Sequence, residues 1–232
     1  MARVLVLRAE AEAATTAAAL VARGHVPLLL PLQEIRTLHG SPPEGRFAGL
    51  LVTSANAVPA LKDHPGLLAL PVLAVGERTA SALRAAGFGD VTTGEGDGAA
   101  LADVAQPLAA RSGLPLLYAA GRVRTAGLET RLLALGVPFR VFEAYDTKPL
   151  HPGLKQIATV LAGKAPDVVL LLSVGQAEGY AELARRLPEC FLPAPSLVCL
   201  SARIAAALPM ELRSRAKISA TSSLAALFER DL

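Results

Sequence analysis

A short apolar run that stops at hydroxyl side chains and turns at once into a helix occurs near both ends of the chain. The first runs from Leu50 to Val58 and passes through Thr53 and Ser54, and the second, Val168–Ala177, turns at Ser173. Four or five consecutive apolar residues are typical of a strand that is buried on both faces of a parallel sheet. The hydroxyls are good helix caps, and the free N–H groups of the helix that follows favour anions. The matched pair predicts two facing halves with a binding site between them.

Short apolar runs alternate with helical patterns along the whole chain, which predicts an α/β fold with parallel sheets. The predicted strands lie at 4–7, 26–35, 50–53, 72–75, 91–93, 114–118, 137–145, 168–172, 197–200 and 217–220. The segment Asp146–Gly153, with two prolines, is predicted to be a linker.

The order of these elements repeats. Gly24 matches Gly136 at an offset of 112 residues (136 − 24), Thr53 matches Ser173 at 120 (173 − 53), and Gly76 falls opposite Ser201 at 125 (201 − 76). The drift in offset is what loop insertions produce, so we expect two copies of one unit of about five strands. The repeat alone would divide the chain near Leu114.

Composition excludes several classes of protein. The net charge is +3 and the arginines are scattered without interleaved aromatics, so we expect no nucleic-acid partner. No apolar stretch approaches the roughly 20 residues of a membrane span. The cysteines, Cys190 and Cys199, share no metal-site spacing. We therefore expect a cytoplasmic protein with no membrane association.

A residue with a hydroxyl side chain, or a glycine, recurs where predicted strands end. The set comprises Thr53, Ser54, Gly76, Ser173, Ser201 and Thr221. The carboxyl ends of parallel strands form the binding crevice of open α/β sheets, although any one serine here could simply cap a helix. Arg8 and Arg122 stand near equivalent strand ends and could each pair with a ligand carboxylate or remain solvated. No metal-ligand cluster or dinucleotide loop stands out, so no cofactor is expected.

At this point the chain resembles the uroporphyrinogen-III synthase family, over nearly its whole length. The resemblance rests on the order and spacing of segments at 4–8, 23–25, 53–58, 74–80, 171–173, 199–208 and 221–224, together with Tyr145. Many relatives have Thr-Arg-Pro and Ser-Pro where this chain has Leu7-Arg8-Ala9 and Ser173-Val174.

The resemblance implies two flavodoxin-like (HemD-like) α/β domains with parallel sheets, joined by a two-stranded linker. One domain is then discontinuous, residues 1–35 plus 148–232, and encloses the other, residues 36–147, with the active-site cleft between them. The implied substrate-binding residues are Arg8, Thr53, Ser54, Asn56, Gly76, Thr79, Arg122, Ser173, Gly175, Ser201 and Thr221.

The implied reaction converts hydroxymethylbilane, a linear tetrapyrrole, into uroporphyrinogen III with inversion of the last ring through a spiro intermediate. The reaction depends chiefly on how the protein orients the substrate. Tyr145 is the plausible proton donor to the leaving hydroxyl, unless it is a core tyrosine with a bonded hydroxyl. Two alternatives stay open: a two-lobed binding protein for an anionic metabolite, and a degenerate member that binds a partner protein. We expect a monomer that needs only its small-molecule substrate.

Overall fold

The fold alternates strands with helices along most of the described chain, and the central strands of each sheet are buried. The structure is a computed structural model and describes residues 1–94, 98–220 and 227–228. The strands are β1 Arg3–Val6, β2 Val26–Leu29, β3 Gln33–Thr37, β4 Leu50–Val52, β5 Val72–Val75, β6 Val91–Gly94, β7 Leu116–Gly121, β8 Phe139–Pro149, β9 Val168–Leu171, β10 Ser196–Cys199 and β11 Ala216–Ile218.

The helices follow most of these strands. They are α1 Glu10–Val21, α2 Val58–Lys62, α3 Gly76–Ala85, α4 Gly98–Ser112, α5 Gly127–Ala134, α6 Leu154–Leu161, α7 Val174–Arg186, α8 Ala202–Ala206 and α9 Met210–Arg213. Short 3₁₀ turns occur at Ala55–Ala57, Pro65–Leu67 and Pro188–Phe191. None of the helices within the described ranges combines the length and hydropathy that a membrane span requires.

The chain divides into two compact units. Unit 1 comprises Met1–Glu34 and Pro149–Leu232, and unit 2 comprises Ile35–Lys148. The five-stranded sheet has the order β11-β10-β9-β1-β2, and the six-stranded sheet has the order β3-β8-β7-β4-β5-β6. The ladders β1–β2, β1–β9, β9–β10, β10–β11, β4–β5, β4–β7, β5–β6 and β7–β8 are parallel. The predicted α/β class is confirmed, with two sheets in which parallel pairing dominates, whereas the two-stranded linker stays a prediction.

The strand registers show how the sequence repeat is built into the fold. The pair Val4–Pro27 joins β1 to β2, and 112 residues later the pair Leu116–Phe139 joins β7 to β8. The sheet of unit 1 combines β1 and β2 with β9, β10 and β11, whereas the sheet of unit 2 combines β7 and β8 with β4, β5 and β6. Each sheet thus takes two strands from one copy of the repeat and three from the other, and the six-stranded sheet has β3 as an additional strand.

The same registers correct one pairing from the sequence comparison. In unit 1, Val169 of β9 lies opposite Leu5 of β1, and in unit 2 Leu50 of β4 lies opposite Leu117 of β7. Leu50 and Val169 are 119 residues apart, so Ser173 corresponds to Ser54 and not to Thr53. The pairing at 120 residues was one position out because both neighbours at this turn carry hydroxyls.

Both faces of each sheet are covered by apolar side chains. Val4, Val6 and Leu170 pack against α1 residues on one face of the first sheet, and Leu5, Val169 and Leu171 pack against α7 on the other. Strands buried on both faces explain the uninterrupted apolar runs in the sequence.

The predicted linker Asp146–Gly153 was wrong in its first half, because β8 continues to Pro149. Proline lacks a backbone N–H, and the end of a strand tolerates this.

Candidate active site

The order of strands fixes where each sheet can bind a ligand. In unit 1, β1 and β9 are neighbours in the sheet, but the chain continues from β1 to β2 on one side and from β9 to β10 on the other. In unit 2, β4 and β7 are related in the same way, because the chain continues from β4 to β5 and from β7 to β8. Such a reversal opens a crevice beyond the carboxyl ends of the two strands. Arg8 and Ser173 follow the strands at this point in unit 1, and Thr53 and Arg122 do so in unit 2.

The serines after the strands are helix caps, as the simpler interpretation of the sequence allowed. Ser173 Oγ accepts a hydrogen bond from the Gln176 N–H at 3.2 Å, and Ser201 Oγ accepts one from the Ile204 N–H at 3.4 Å. Each cap leaves the first N–H groups of its helix without intrahelical partners. Ser173 precedes a helix of 13 residues, so its turn has the stronger N-terminal dipole.

Arg8 points toward α1 and not across the sheet. Its guanidinium donates to Glu12 at 2.9 Å and to the Thr16 hydroxyl at 3.2 Å, and its side chain is only 16% exposed. A carboxylate already neutralises this cation, so a ligand would have to compete with Glu12 for it. Arg8 is therefore placed beside the crevice of unit 1 but is already paired.

Two glutamine side chains that the sequence analysis passed over meet the turn that carries Ser173 and Gly175. Gln176 is 5% exposed, and its Oε1 accepts a hydrogen bond from the Leu172 N–H at 2.9 Å. Gln33 approaches so closely that a Cβ built on Gly175 would lie 2.5 Å from its Nε2. No sequence motif marks Gln33, because the Gly175 that it approaches is far away along the chain.

Unit 2 brings Thr53 together with a tyrosine that the sequence analysis did not consider. Thr53 Oγ1 and Tyr118 Oη lie 3.3 Å apart, and Ser54 Oγ accepts a hydrogen bond from the Asn56 N–H at 3.2 Å. Burial raises the pKa of Tyr118, and the hydrogen bond with Thr53 opposes that shift only in part. Tyr118 therefore stays protonated at neutral pH and can act only as a neutral hydrogen-bonding group.

Gly76 and Thr79 lie on the first turn of α3, beyond the end of β5. Gly76 adopts a φ of +73°, and Thr79 is 5% exposed. Among the residues that the structure describes, none is hydrogen-bonded to the Thr79 hydroxyl. A buried hydroxyl without a partner is uncommon in proteins, which makes Thr79 a candidate for contact with a ligand.

Tyr145 lies in β8, beside the end of β7. A Cβ built on Gly121 would lie 2.8 Å from Tyr145 Cζ and 3.0 Å from its Oη, so the ring covers the glycine. Tyr145 is half-buried, and its hydroxyl has no hydrogen-bond partner in the described part of the chain. The alternative of a core tyrosine with a bonded hydroxyl does not match this placement.

Arg122 holds the backbone and the carboxylates around Tyr145. Its N–H donates to the Tyr145 carbonyl at 2.8 Å, and its guanidinium contacts Glu143 at 3.0 Å and Asp146 at 3.3 Å. Lys148 Nζ lies 3.0 Å from the same Asp146 carboxylate. The hydrogen bond from Lys148, aided by the two positive charges, lowers the pKa of Asp146 against the opposing effect of desolvation.

Further ion pairs join this group between the end of β7 and the start of α5. Arg124 bonds Glu129 at 2.5 Å and lies 3.6 Å from Glu143, which joins it to Arg122. Three cations and three carboxylates therefore alternate at this edge: Arg122, Arg124 and Lys148 with Glu129, Glu143 and Asp146. Arg122 is about half exposed, and two carboxylates already neutralise it.

Thr221, the remaining predicted site residue, lies outside the described residues. Within the described ranges, no three His, Cys, Asp or Glu side chains are grouped so that they could hold a metal ion. The structure thus places Arg8, Ser173, Gly175 and Ser201 at one sheet edge of unit 1. It places Thr53, Ser54, Asn56, Gly76, Thr79 and Arg122 at strand ends or first helical turns of unit 2, and Tyr145 within β8 beside the end of β7.

Comparison with solved structures shows where the same fold occurs. Uroporphyrinogen-III synthetase from Helicobacter pylori is 21% identical, with a TM-score of 0.66 over 99% of this chain and 97% of that chain. A mutant uroporphyrinogen III synthase from Thermus thermophilus is 20% identical, with a TM-score of 0.54 over 99% of this chain and 96% of that chain. No curated protein matches the chain in sequence.

A family model decides the assignment that these structural likenesses leave open. The model of uroporphyrinogen-III synthase HemD matches residues 14–229, which is most of the chain and includes strands of both units. The chain belongs to the uroporphyrinogen-III synthase HemD family.

Proposed function

We propose that the strand-end residues of both units bind and orient the substrate of this family's reaction. The chain is an enzyme that cyclises hydroxymethylbilane to uroporphyrinogen III in tetrapyrrole biosynthesis. The observation that supports the site is the recurrence of a serine-capped turn, at Ser54 and at Ser173, beyond the carboxyl ends of corresponding strands in the two sheets. The family match disfavours the alternative of a binding protein without catalysis.

The substrate carries many carboxylates, and the proposed site is rich in groups that hydrogen-bond to carboxylates without themselves being charged. The first N–H groups of α7 and the hydroxyls of Thr53 and Thr79 are of this kind. A set of fixed donors can hold the linear tetrapyrrole with its terminal rings close together. Orientation of reacting groups supplies about 7–11 kcal/mol in favourable cases, which suits a reaction whose outcome depends on geometry.

Tyr145 is the proposed proton donor. Its hydroxyl gives a proton to the departing hydroxyl of hydroxymethylbilane, which leaves as water and generates an azafulvene cation. The terminal pyrrole attacks that cation at its substituted carbon, and the resulting spiro intermediate fragments and recloses with the last ring inverted. The pyrrole proton released on ring closure restores the tyrosine, so the protein ends the cycle unchanged. The free Tyr145 hydroxyl supports this role.

The remaining parts of the proposal concern the setting of the enzyme. We expect a cytoplasmic monomer with no nucleic-acid or membrane partner. A monomer is favoured because each copy of the chain already contains both sheets and both sets of strand-end residues.

Paired substitutions test whether both units contribute. Thr53→Val removes a hydroxyl in unit 2, and Ser173→Gly removes one in unit 1 at a cap position where glycine costs only a few tenths of a kcal/mol. We expect each to raise KM for freshly generated hydroxymethylbilane about threefold or more. The control is Thr159→Val, which removes a hydroxyl bonded within α6. If only one of the two site variants differs from this control, the two-unit site is wrong.

A further inference from the structure

The first turn of α7 in unit 1 carries more hydrogen-bond donors than the helix uses. Ala177 makes the first intrahelical bond, to the Ser173 carbonyl, and the Gln176 N–H is bonded to the Ser173 hydroxyl. The N–H groups of Val174 and Gly175 precede that bond, so the helix itself gives them no acceptor. Both donors lie just beyond the carboxyl end of β9.

Gln176 adds a side-chain donor to this turn. Its Oε1 must be the atom that accepts from the Leu172 N–H, because only an oxygen can accept there, and this fixes the Nε2 as the other branch of the carboxamide. No residue in the described ranges accepts a hydrogen bond from that Nε2, although Gln176 is only 5% exposed. An NH₂ group buried without an acceptor is costly, which indicates that its partner comes from outside the chain.

Gln33 brings a second carboxamide to the same place. Its Nε2 would lie 2.5 Å from a Cβ on Gly175, so the absence of a side chain at 175 is what admits the amide to the turn. Within the described residues, the Gln33 carboxamide has no hydrogen-bond partner. The backbone beside it is fixed, because the N–H of Leu32, its neighbour in the chain, donates to the Leu7 carbonyl at 3.1 Å.

The repeat supplies an internal contrast. The residue of unit 2 that corresponds to Gln176 is Ala57, which is fully buried, and Gly175 corresponds to Asn56. The Gln176 carboxamide therefore has no counterpart at the equivalent position of unit 2. Arg8, the nearby cation, is already bonded to Glu12 and Thr16, so neutral donors remain for a ligand at this edge.

We propose that Gln33 and Gln176, with the N–H groups of Val174 and Gly175, form a binding subsite for one carboxylate of the tetrapyrrole. This rests on the proposed function, and it adds two specificity-determining side chains to that site. A carboxylate supplies the acceptors that the buried NH₂ lacks, and the dipole of α7 favours its charge. The subsite fixes the position of one substrate ring relative to unit 1.

The test replaces each donor by an acceptor of the same size. Gln33→Glu and Gln176→Glu keep the shape and, for residue 176, the acceptor of the Leu172 N–H, but place a negative charge where the ligand carboxylate binds. The control is Gln156→Glu, the same change at an exposed position of α6. The readouts are the Kd for uroporphyrin III by fluorescence, KM and kcat with hydroxymethylbilane, and the thermal midpoint.

We expect both site variants to weaken uroporphyrin III binding and raise KM by about tenfold or more, since an attractive contact becomes repulsive, with kcat changed much less. The control should match the unsubstituted protein. Folded Gln33→Glu with an unchanged Kd overturns the subsite, even where the enzyme still yields uroporphyrinogen III. If Gln176→Glu lowers the thermal midpoint strongly, Gln33→Glu decides the matter alone. Failure of the unsubstituted protein to form the type III isomer counts against the proposed function, whereas the Kd values judge the subsite separately.

Discussion

The ring of Tyr145 lies directly over Gly121, so close that any side chain at 121 would collide with it. A Cβ there would be 2.8 Å from Tyr145 Cζ, far inside van der Waals contact. The N–H of the next residue, Arg122, donates to the Tyr145 carbonyl at 2.8 Å. The end of β7 thus fixes both the ring and the backbone of the proposed proton donor.

The contact between these two residues makes Gly121→Ala a direct test of ring position. The added methyl group must displace the ring of Tyr145, because the backbone on either side is held in the β7–β8 ladder. We expect kcat to fall about tenfold or more, since a small misplacement of a catalytic group is costly. Gly127→Ala, where a Cβ would meet nothing within 4 Å, is the matched control. An unchanged kcat in Gly121→Ala would show that the ring position does not matter.

Removing the hydroxyl itself tests the chemical role. General acid catalysis contributes about 10²–10⁴-fold, so Tyr145→Phe should reduce turnover at least tenfold. The thermal midpoint should hardly change, because the hydroxyl has no protein partner in the described residues. Turnover and midpoint are measured on one preparation. Full activity with a lowered midpoint would make Tyr145 a structural residue and remove it from the site.

The carboxylate of Asp146 should make stability depend on pH. Its pKa is lowered in the folded state, so it stabilises the fold above its unfolded pKa of about 3.9, and this contribution is lost as the pH falls through the folded pKa. Asp146→Asn should therefore lower the thermal midpoint at pH 7, and the difference should shrink below pH 4. Asp103→Asn, in an exposed ion pair with Arg131, is the control. A deficit that is constant from pH 3 to pH 8 would argue against the ion pairs as its cause.

Tyr118→Phe should separate positioning from stability in unit 2. The change leaves Thr53 Oγ1 without its 3.3 Å partner but keeps the buried ring. We expect a loss of about 0.5–1.5 kcal/mol in the free energy of unfolding. We also expect a higher KM with a nearly unchanged kcat, because Thr53 is proposed to bind and not to react. Chemical denaturation and steady-state kinetics measure the two effects; a fall in kcat alone would contradict the assignment.

Much of the fold was predictable because it rests on local patterns. Runs such as Leu50–Val52 and Val168–Leu171 are buried on both faces of the sheet. Such strands need consecutive apolar residues, and this pattern is visible in the sequence. The repeat was also visible, since helix stops at Gly24 and Gly136 mark equivalent turns. The exchange of strands between the two copies was not, because nothing near Val4 specifies that it pairs with Val168.

The candidate site was predictable at its backbone turns and less so at its side chains. Ser54 and Ser173 were found because caps follow strands by a fixed local rule. The partners of Arg8 and Arg122 depend on side-chain directions that spacing does not give. Gln33 could not be identified from the sequence, because it approaches Gly175, which is far away along the chain. A single glutamine also forms no recognisable sequence motif.

The isomer composition of the product tests the central claim most directly. Freshly generated hydroxymethylbilane is incubated with the unsubstituted protein, the products are oxidised, and the type I and type III uroporphyrins are separated by HPLC. Without an enzyme the linear tetrapyrrole closes to the type I isomer, so heat-denatured protein serves as the control. The account predicts predominantly the type III isomer, formed faster than the spontaneous reaction and without any added metal or cofactor. A type I to type III ratio equal to that of the control, obtained with folded protein, would contradict it.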